Sequence, residues 1–347
     1  MSKRSAAVLA LLLGLASCEG SEAVTEERGA GAAAESWIPG ADECEGCHDR
    51  VAAGWADSRH HLAFSNVDFQ RAYAREPKAF CRDCHAPGLA GSPAASPGEL
   101  ESPAGRRGIG CADCHLEQGR LLSGPARAGA EDPPHALVRE PDFATQSCAR
   151  CHEFDFPAAS PRRGAMMQTT MGEHRASPYA DRSCGDCHFP GGDHALASSR
   201  DDEALRAALQ VAAHRESPGP ALILELEPRG VGHALPTGDL FRRLALHARW
   251  LDEDGEVAAE AHRYLDRHFA PLRHADGRRN LAARLAPHDD RLTGPTTLRL
   301  EPRGEADLSQ TAVIHWWIDY ERVDERDNAA PERSTLADGV RLAEGRL

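Results

Sequence analysis

One string, Cys-x-x-Cys-His, occurs five times in the 347 residues and takes up ten of the eleven cysteines: Cys44/Cys47, Cys81/Cys84, Cys111/Cys114, Cys148/Cys151 and Cys184/Cys187. The residue counts lead to an expectation of only about 0.02 copies by chance. Two thiols at this spacing can add to the two vinyl groups on one edge of a porphyrin, and the adjacent histidine then lies beneath the ring as an iron ligand. The string therefore predicts five covalently attached haem c groups, with His48, His85, His115, His152 and His188 as proximal ligands. Zinc is the competing chemistry for paired cysteines. An odd number of pairs, an invariable following histidine and an export-type N-terminus all weigh against it. Disulfides within such pairs would be redox-active rather than stabilising.

The repeats are unevenly spaced through 42–200, so the region is not read as a solenoid. Pro and Gly are frequent there (SPAASPGELESPAGRRG) and large aliphatic residues are scarce, while aromatics make up only 5% of the chain. A region this poor in apolar side chains cannot easily build its own core. The expectation is a mostly helical and irregular pentahaem domain that folds around its porphyrins and is disordered without them.

The N-terminus, MSKRSAAVLALLLGLASCEG, has a basic start and a short apolar stretch, which reads as an export signal over 1–17. Leu15-Ala16-Ser17-Cys18 resembles the lipobox of bacterial lipoproteins, in which the cysteine is acylated; this accounts for the odd cysteine, Cys18. Residues 18–41, rich in Ala, Gly and Glu, read as a lipid anchor followed by a flexible tether. The expected location is the periplasmic side of the cell envelope, with Glu19 favouring the outer membrane. A formal charge of −14 excludes nucleic acid as a natural partner.

Residues 201–218 are read as a connecting helix, because Leu205, Ala208, Leu209 and Ala212 share a face and acidic residues fill the first turn. Beyond Pro218 the period changes to two. ALILELE, LFRRLALHARW, TTLRLE and TAVIHWWIDYE alternate, with Ile314, Trp316, Ile318 and Tyr320 on one face. They predict an Ig-like antiparallel β-sandwich over 219–326, followed by a charged, frayed tail over 327–347. The fold class is α+β.

Whether each iron has a second protein ligand decides between a carrier of electrons and a site that also binds substrate. CEGCHDRVAAGWADSRHHLAF, residues 44–64, is similar to the pattern of multihaem c-type cytochromes, in particular those like the tetrahaem cytochrome of the nitrifier hydroxylamine pathway. That resemblance implies His60 as a distal ligand, to a haem other than its own, with His61 as a second candidate. SCARCHEFDFP and the segment 167–190 resemble exported multihaem cytochromes that end in a β-domain; these commonly have Trp where His174 stands here. PPHAL, GGDHAL and GHALPTG resemble recurring distal contexts in such proteins and imply His135, His194 and His233. Met166, Met167 and Met171 fit packing against porphyrin faces better than ligation. No acid–base constellation stands out from the charged surface. The function implied is electron transfer along a row of haems between redox partners, either other cytochromes or a quinol-linked donor. The alternative is an oxidoreductase acting on a small nitrogen or sulfur oxide at a five-coordinate haem.

Overall fold

The computed structural model describes residues 43–347 except 95, 127–132, 159, 161, 197–200, 272–284, 304–312 and 328–329. The signal, Cys18 and the tether fall outside the described residues. The first half is built of short helices: α1 (Glu43–Cys47), α2 (Asp49–Ala56), α3 (Val67–Arg75), α4 (Ala79–His85), α5 (Pro103–Arg107), α6 (Cys111–His115), α7 (Phe143–His152), α8 (Thr170–Arg175) and α9 (Cys184–His188). Small strands connect them: β1 (Leu116–Glu117), β2 (Arg120–Ser123), β3 (Val138–Arg139), β4 (Glu153–Asp155) and β5 (Met166–Thr169). None of the described helices is long and apolar enough to cross a membrane.

Every Cys-x-x-Cys-His string is a single helical turn or the last turn of a helix. Local capping explains why so short a helix forms. In the third and fifth motifs the aspartate before the second cysteine reaches back to the residue ahead of the first. Asp113 accepts from the Gly110 N–H at 2.7 Å and Asp186 from the Ser183 N–H at 2.7 Å, while the Ser183 hydroxyl accepts from the Asp186 N–H. The two thiols, three positions apart, then share one face with the histidine one residue further on.

The apolar core of this half is small, as expected. Among the described residues it comprises Phe64, Tyr73, Ala86 and Leu89. A buried ion pair supplements it: Arg82, inside the second motif, meets Glu99 and the carbonyls of Ser92 and Pro93. Tyr73 donates its hydroxyl to the same Glu99 at 3.3 Å.

The second half comprises α10 (Asp202–Ala207) and eight strands: β6 (Leu209–Arg215), β7 (Leu222–Pro228), β8 (Arg242–Leu251), β9 (Val257–Pro271), β10 (Leu285–Asp289), β11 (Thr296–Leu300), β12 (Val313–Glu325) and β13 (Thr335–Arg346). They form two antiparallel sheets, ordered β10-β9-β8-β12-β13 and β11-β7-β6. Between them, among the described residues, lies a core of twenty-two buried residues that includes Leu222, Leu224, Leu246, Trp250, Ile314 and Ile318. Trp250 is fully buried and donates its indole N–H to the Pro220 carbonyl at 2.7 Å. The Ile314-Trp316-Ile318-Tyr320 row faces inward, as its period predicts.

Two expectations for this half need correction. The connecting helix read over 201–218 ends at Ala207, where Asp201 caps its start; from Leu209 the chain is a strand. An Ala-rich run such as QVAAH satisfies either period, and pairing with β7 through Leu209↔Pro228 to Arg215↔Leu222 decides it. The tail read as frayed is β13, which pairs with β12 and turns Val340 and Leu342 into the core. Its charges form the outward row, where Arg341 reaches Asp319 and Glu344. Leu347 still exchanges both backbone hydrogen bonds with Ile314 at 3.0 Å. Deleting residues 335–347 is thus expected to bare the edge of β12 and remove two buried aliphatics, each contributing about 1.5–3 kcal/mol. A thermal melt of the truncated protein that matches the full chain would contradict this.

The halves meet along a polar seam. From β9, Arg267 donates to the carbonyls of Met166 at 2.7 Å and Met167 at 3.1 Å, and Phe269 stands edge-on to Phe156 at 5.1 Å.

Candidate metal and cofactor centres

Four motif histidines each face one histidine from elsewhere in the chain, at one common distance. His48 faces His135, His115 faces His194, His152 faces His60 and His188 faces His233, in every case with 6.3 Å between ring centroids. Two metal–imidazole bonds of about 2 Å, plus the reach from each ring centre to its nitrogen, add up to about 6 Å. The gap between the rings therefore fits one metal ion with an axial ligand on either side. The residues thus fit the group that the motifs imply.

The tautomers fit as well. A ring that donates from Nδ1 leaves Nε2 free to bind a metal. His115 Nδ1 is 2.8 Å from the Leu122 carbonyl, His85 Nδ1 is 2.9 Å from Ala63, His194 Nδ1 is 2.9 Å from Gly192 and His233 Nδ1 is 3.0 Å from Ala234. Burial, the largest influence on each, lowers the imidazole pKa of His60, His85, His115 and His233, and pushes that of His152 down to about 4. Burial thus favours the neutral form, which is the form that binds a metal.

His60 is carried over to the fourth motif by a close backbone contact. Gly108 has φ +61°, and a Cβ there would sit 2.7 Å from the His60 carbonyl oxygen and 2.3 Å from that of His61. The next residue, Ile109, donates its N–H to the same His60 carbonyl at 3.0 Å, and its own carbonyl accepts from the Trp55 indole at 2.8 Å. Only a glycine allows this approach.

Among the described residues the rings of His61 and His174 face no motif histidine, although His174 acts electrostatically on Cys184 of the fifth motif. The His61 ring lies 4.3 Å from that of Trp55, with Nδ1 3.2 Å from the Arg107 carbonyl. His174 packs against Gly232. The second motif also stands apart: among the described residues no histidine ring faces His85. Phe69 stacks on His85 at 3.9 Å, and Asp239 of the β-domain is near enough to act on it electrostatically. From the same turn Arg242, which bonds Asp239 at 2.9 Å, acts on His152.

Thiols of different motifs adjoin. Cys44 lies within hydrogen-bonding reach of Cys111, Cys84 of Cys151 and Cys148 of Cys184, and Cys114 acts electrostatically on Cys148. Helix α7, which carries the fourth motif, is the hub. It packs on α4, α6, α8 and α9, and its Ser147 and Arg150 donate to the Cys114 carbonyl at 3.2 and 2.9 Å.

The motif thiols are not equally enclosed. Cys187 in α9 is exposed, as is Cys47 in α1, whereas the other eight motif cysteines are half-buried. The reason lies in the direction of each short helix. In the fifth motif the first thiol, Cys184, turns inward to Cys148 on α7 and lies 3.8 Å from the Thr145 hydroxyl. In the first motif Cys44 likewise turns to Cys111. The first and fifth motifs each combine one inward thiol with one exposed thiol.

Glu173 in α8 carries no signal in the sequence, yet it ties the two halves together. Its carboxylate accepts from the Arg291 guanidinium at 2.6 Å, the Thr169 hydroxyl at 2.6 Å, the Thr237 hydroxyl and the Ala234 N–H at 3.2 Å. Burial pushes its pKa up, but Arg291 and the two hydroxyls outweigh that and hold it below the ordinary value. A separate group of possible ligand atoms, His247, Asp319 and Glu321, lies on the outer face of the larger sheet. Its carboxylates are already paired, Asp319 with Arg341 and Glu321 with Arg243, each at 2.6 Å.

Residues 43–116, which hold the first three motifs, match the family described as "Cytochrome c554 and c-prime". The fold is similar to that of a penta-heme cytochrome c552 from Thermochromatium tepidum, with a TM-score of 0.64 and 20% identity, covering 88% of this chain and 97% of that one. No curated protein sequence matches.

Proposed function

We propose that the chain is a multihaem c-type cytochrome that holds five haem c groups and serves as an exported electron carrier between redox partners, a reading supported by the family match over 43–116 and the similar fold. The observation that carries this reading is the set of four imidazole pairs at 6.3 Å, which supports two protein ligands at each of four positions. Haem c supplies a reversible one-electron couple when bound. The ten motif cysteines would hold the groups as thioethers, and His48/His135, His115/His194, His152/His60 and His188/His233 would supply two iron ligands each, with backbone carbonyls fixing the rings of His115, His194 and His233. Holding both ligands in place limits reorganisation on electron transfer.

The adjoining thiols support a branched order: the first motif meets the third, the third meets the fourth, and the fourth meets both the second and the fifth. The exposure of Cys47 and Cys187 supports the first and fifth positions as the points where an outside partner exchanges electrons. The β-domain is part of this arrangement, since it supplies His233. Acylated Cys18 anchors the protein on the periplasmic side of the envelope, at the outer membrane. The acidic surface favours partners with a basic docking patch, such as another cytochrome or a quinol-linked donor.

One observation favours a second reading for one position. His85 faces no other imidazole among the described residues, which supports an open coordination site where a small nitrogen or sulfur oxide could bind. Low-temperature EPR of the oxidised, fully haemylated protein tests both readings. The expected result is four equivalents of low-spin and one of high-spin ferric iron, with the high-spin signal shifting on addition of nitrite or hydroxylamine. Five low-spin equivalents would remove the open-site reading and leave a pure carrier. Several high-spin equivalents would overturn the four ligand pairs.

A further inference from the structure

We propose that Glu173 is a positioning residue that holds His233 against His188, and that its buried negative charge lowers the reduction potential at that position. This rests on the reading of His188 and His233 as the two ligands of one iron.

His233 stands apart from the other facing histidines because it comes from the β-domain, on the loop between β7 and β8. Nothing in the covalent geometry of the fifth motif ties that loop to it. The tie is made on the other side of the seam, by α8. Glu173 accepts the N–H of Ala234, the residue next to His233, at 3.2 Å, and also the hydroxyl of Thr237 in the same loop. The neighbouring Thr170 hydroxyl meets that of Thr237 at 3.1 Å. Behind the loop, Arg291 donates to the Pro236 carbonyl at 3.1 Å and to Glu173 at 2.6 Å, so one guanidinium braces loop and carboxylate together. Leu235 and Leu292 complete the brace with reciprocal backbone bonds at 2.8 and 3.1 Å. Every residue from Ala234 to Thr237 is thus held from outside the loop, two of them by the Glu173 carboxylate directly and a third through Arg291.

The charge has a second effect. The carboxylate lies within electrostatic range of His233, and both it and Arg291 are buried, their side chains 9% and 5% exposed. Arg291 is shared with Asp289 at 2.7 Å, and Arg267 lies 3.8 Å from the same Asp289, so two acids face two guanidiniums. In a poorly screened setting, taking one negative charge out of that balance destabilises ferric relative to ferrous iron and so raises the potential. Replacement by an isosteric amide leaves an acceptor for Ala234 and Thr237 but removes the charge, which separates the positioning role from the electrostatic one.

The test uses the full-length haemylated protein and three variants, followed by EPR during a redox titration. His233→Ala identifies the signal: one low-spin equivalent should become high-spin. Glu173→Ala should lose the same equivalent, wholly or in part. Glu173→Gln should keep every low-spin equivalent while the midpoint of that one signal moves to a more positive potential and the others stay. If His233→Ala leaves the low-spin count unchanged, the ligand reading fails and the proposal falls with it. If His233→Ala behaves as expected but the midpoint is unmoved in Glu173→Gln, the proposal alone is overturned. That second result decides the matter even if Glu173→Ala fails to assemble.

Discussion

Removing both thiols of the fourth motif, by Cys148→Ala with Cys151→Ala, is expected to lose far more than one haem. Helix α7 packs on four other helices, three of which carry motifs, and its Ser147 and Arg150 hold the backbone of the third motif. Among the described residues the buried apolar cluster of this half has four members, so the prosthetic groups are expected to provide most of what its helices pack against. Taking away the central one leaves its neighbours with nothing on one side. The haem-to-polypeptide ratio should fall well below four, with a loss of far-ultraviolet circular dichroism. The comparison is Cys44→Ala with Cys47→Ala at the edge of the cluster, where the ratio should stop near four and the spectrum should change little. A fourth-motif variant that keeps its other four haems and its helices would refute the hub.

The second large effect is expected from Trp250→Ala. Trp250 is fully buried at the centre of the sandwich and its indole satisfies the Pro220 carbonyl. Truncating a buried aromatic costs about 3–5 kcal/mol, and an unsatisfied carbonyl adds about 1–3 kcal/mol. Domains are typically stable by only about 5–15 kcal/mol, so the melting temperature should drop steeply. The consequence should extend beyond stability. The β7–β8 loop bearing His233 grows out of this sandwich, so the low-spin signal assigned to His188 and His233 should weaken under conditions where the other three persist. Trp250→Phe should lose less of both. A destabilised Trp250→Ala protein with an undiminished signal would mean that the seam alone, through Glu173 and Arg291, suffices to present His233.

What could be read from the sequence follows how local each determinant is. The five motifs are contiguous and chemically specific, so the strings alone mark where the helical turns fall. They do not say which thiol of a pair turns inward, because Cys184 and Cys187 differ only in what α7 places beside them. The inward row of β12 was legible because bulky residues alternate there without interruption. Strands β9 and β10 were not singled out, since in AHRYLDRHFAP charged and apolar residues mix on both faces. Arg267 and Asp266 are buried there in ion pairs that no period reveals. In β13 the outward Arg and Glu residues hid two core positions. The histidine pairing was the least legible part, because it depends on contacts such as Gly108 against the His60 carbonyl, where the decisive property is the absence of a side chain. Glu173 looked like one acid among many until the fold put Arg291, Thr237 and Ala234 around it.

The four facing pairs also constrain the topology of the whole chain. Each pair closes a long loop, and the loops overlap in turn: 48 to 135 encloses the start of 60 to 152, which encloses the start of 115 to 194, which overlaps 188 to 233. No single cut between His60 and His194 frees a fragment, because every such point lies within at least one closed loop. With metal in place the pairs act like staggered clasps, and the last one stitches the sandwich onto the rest. The two halves, distinct in secondary structure, are then a single mechanical object. A protease that nicks an exposed turn in the first half should leave a nicked protein that stays in one piece until its iron ligands are displaced.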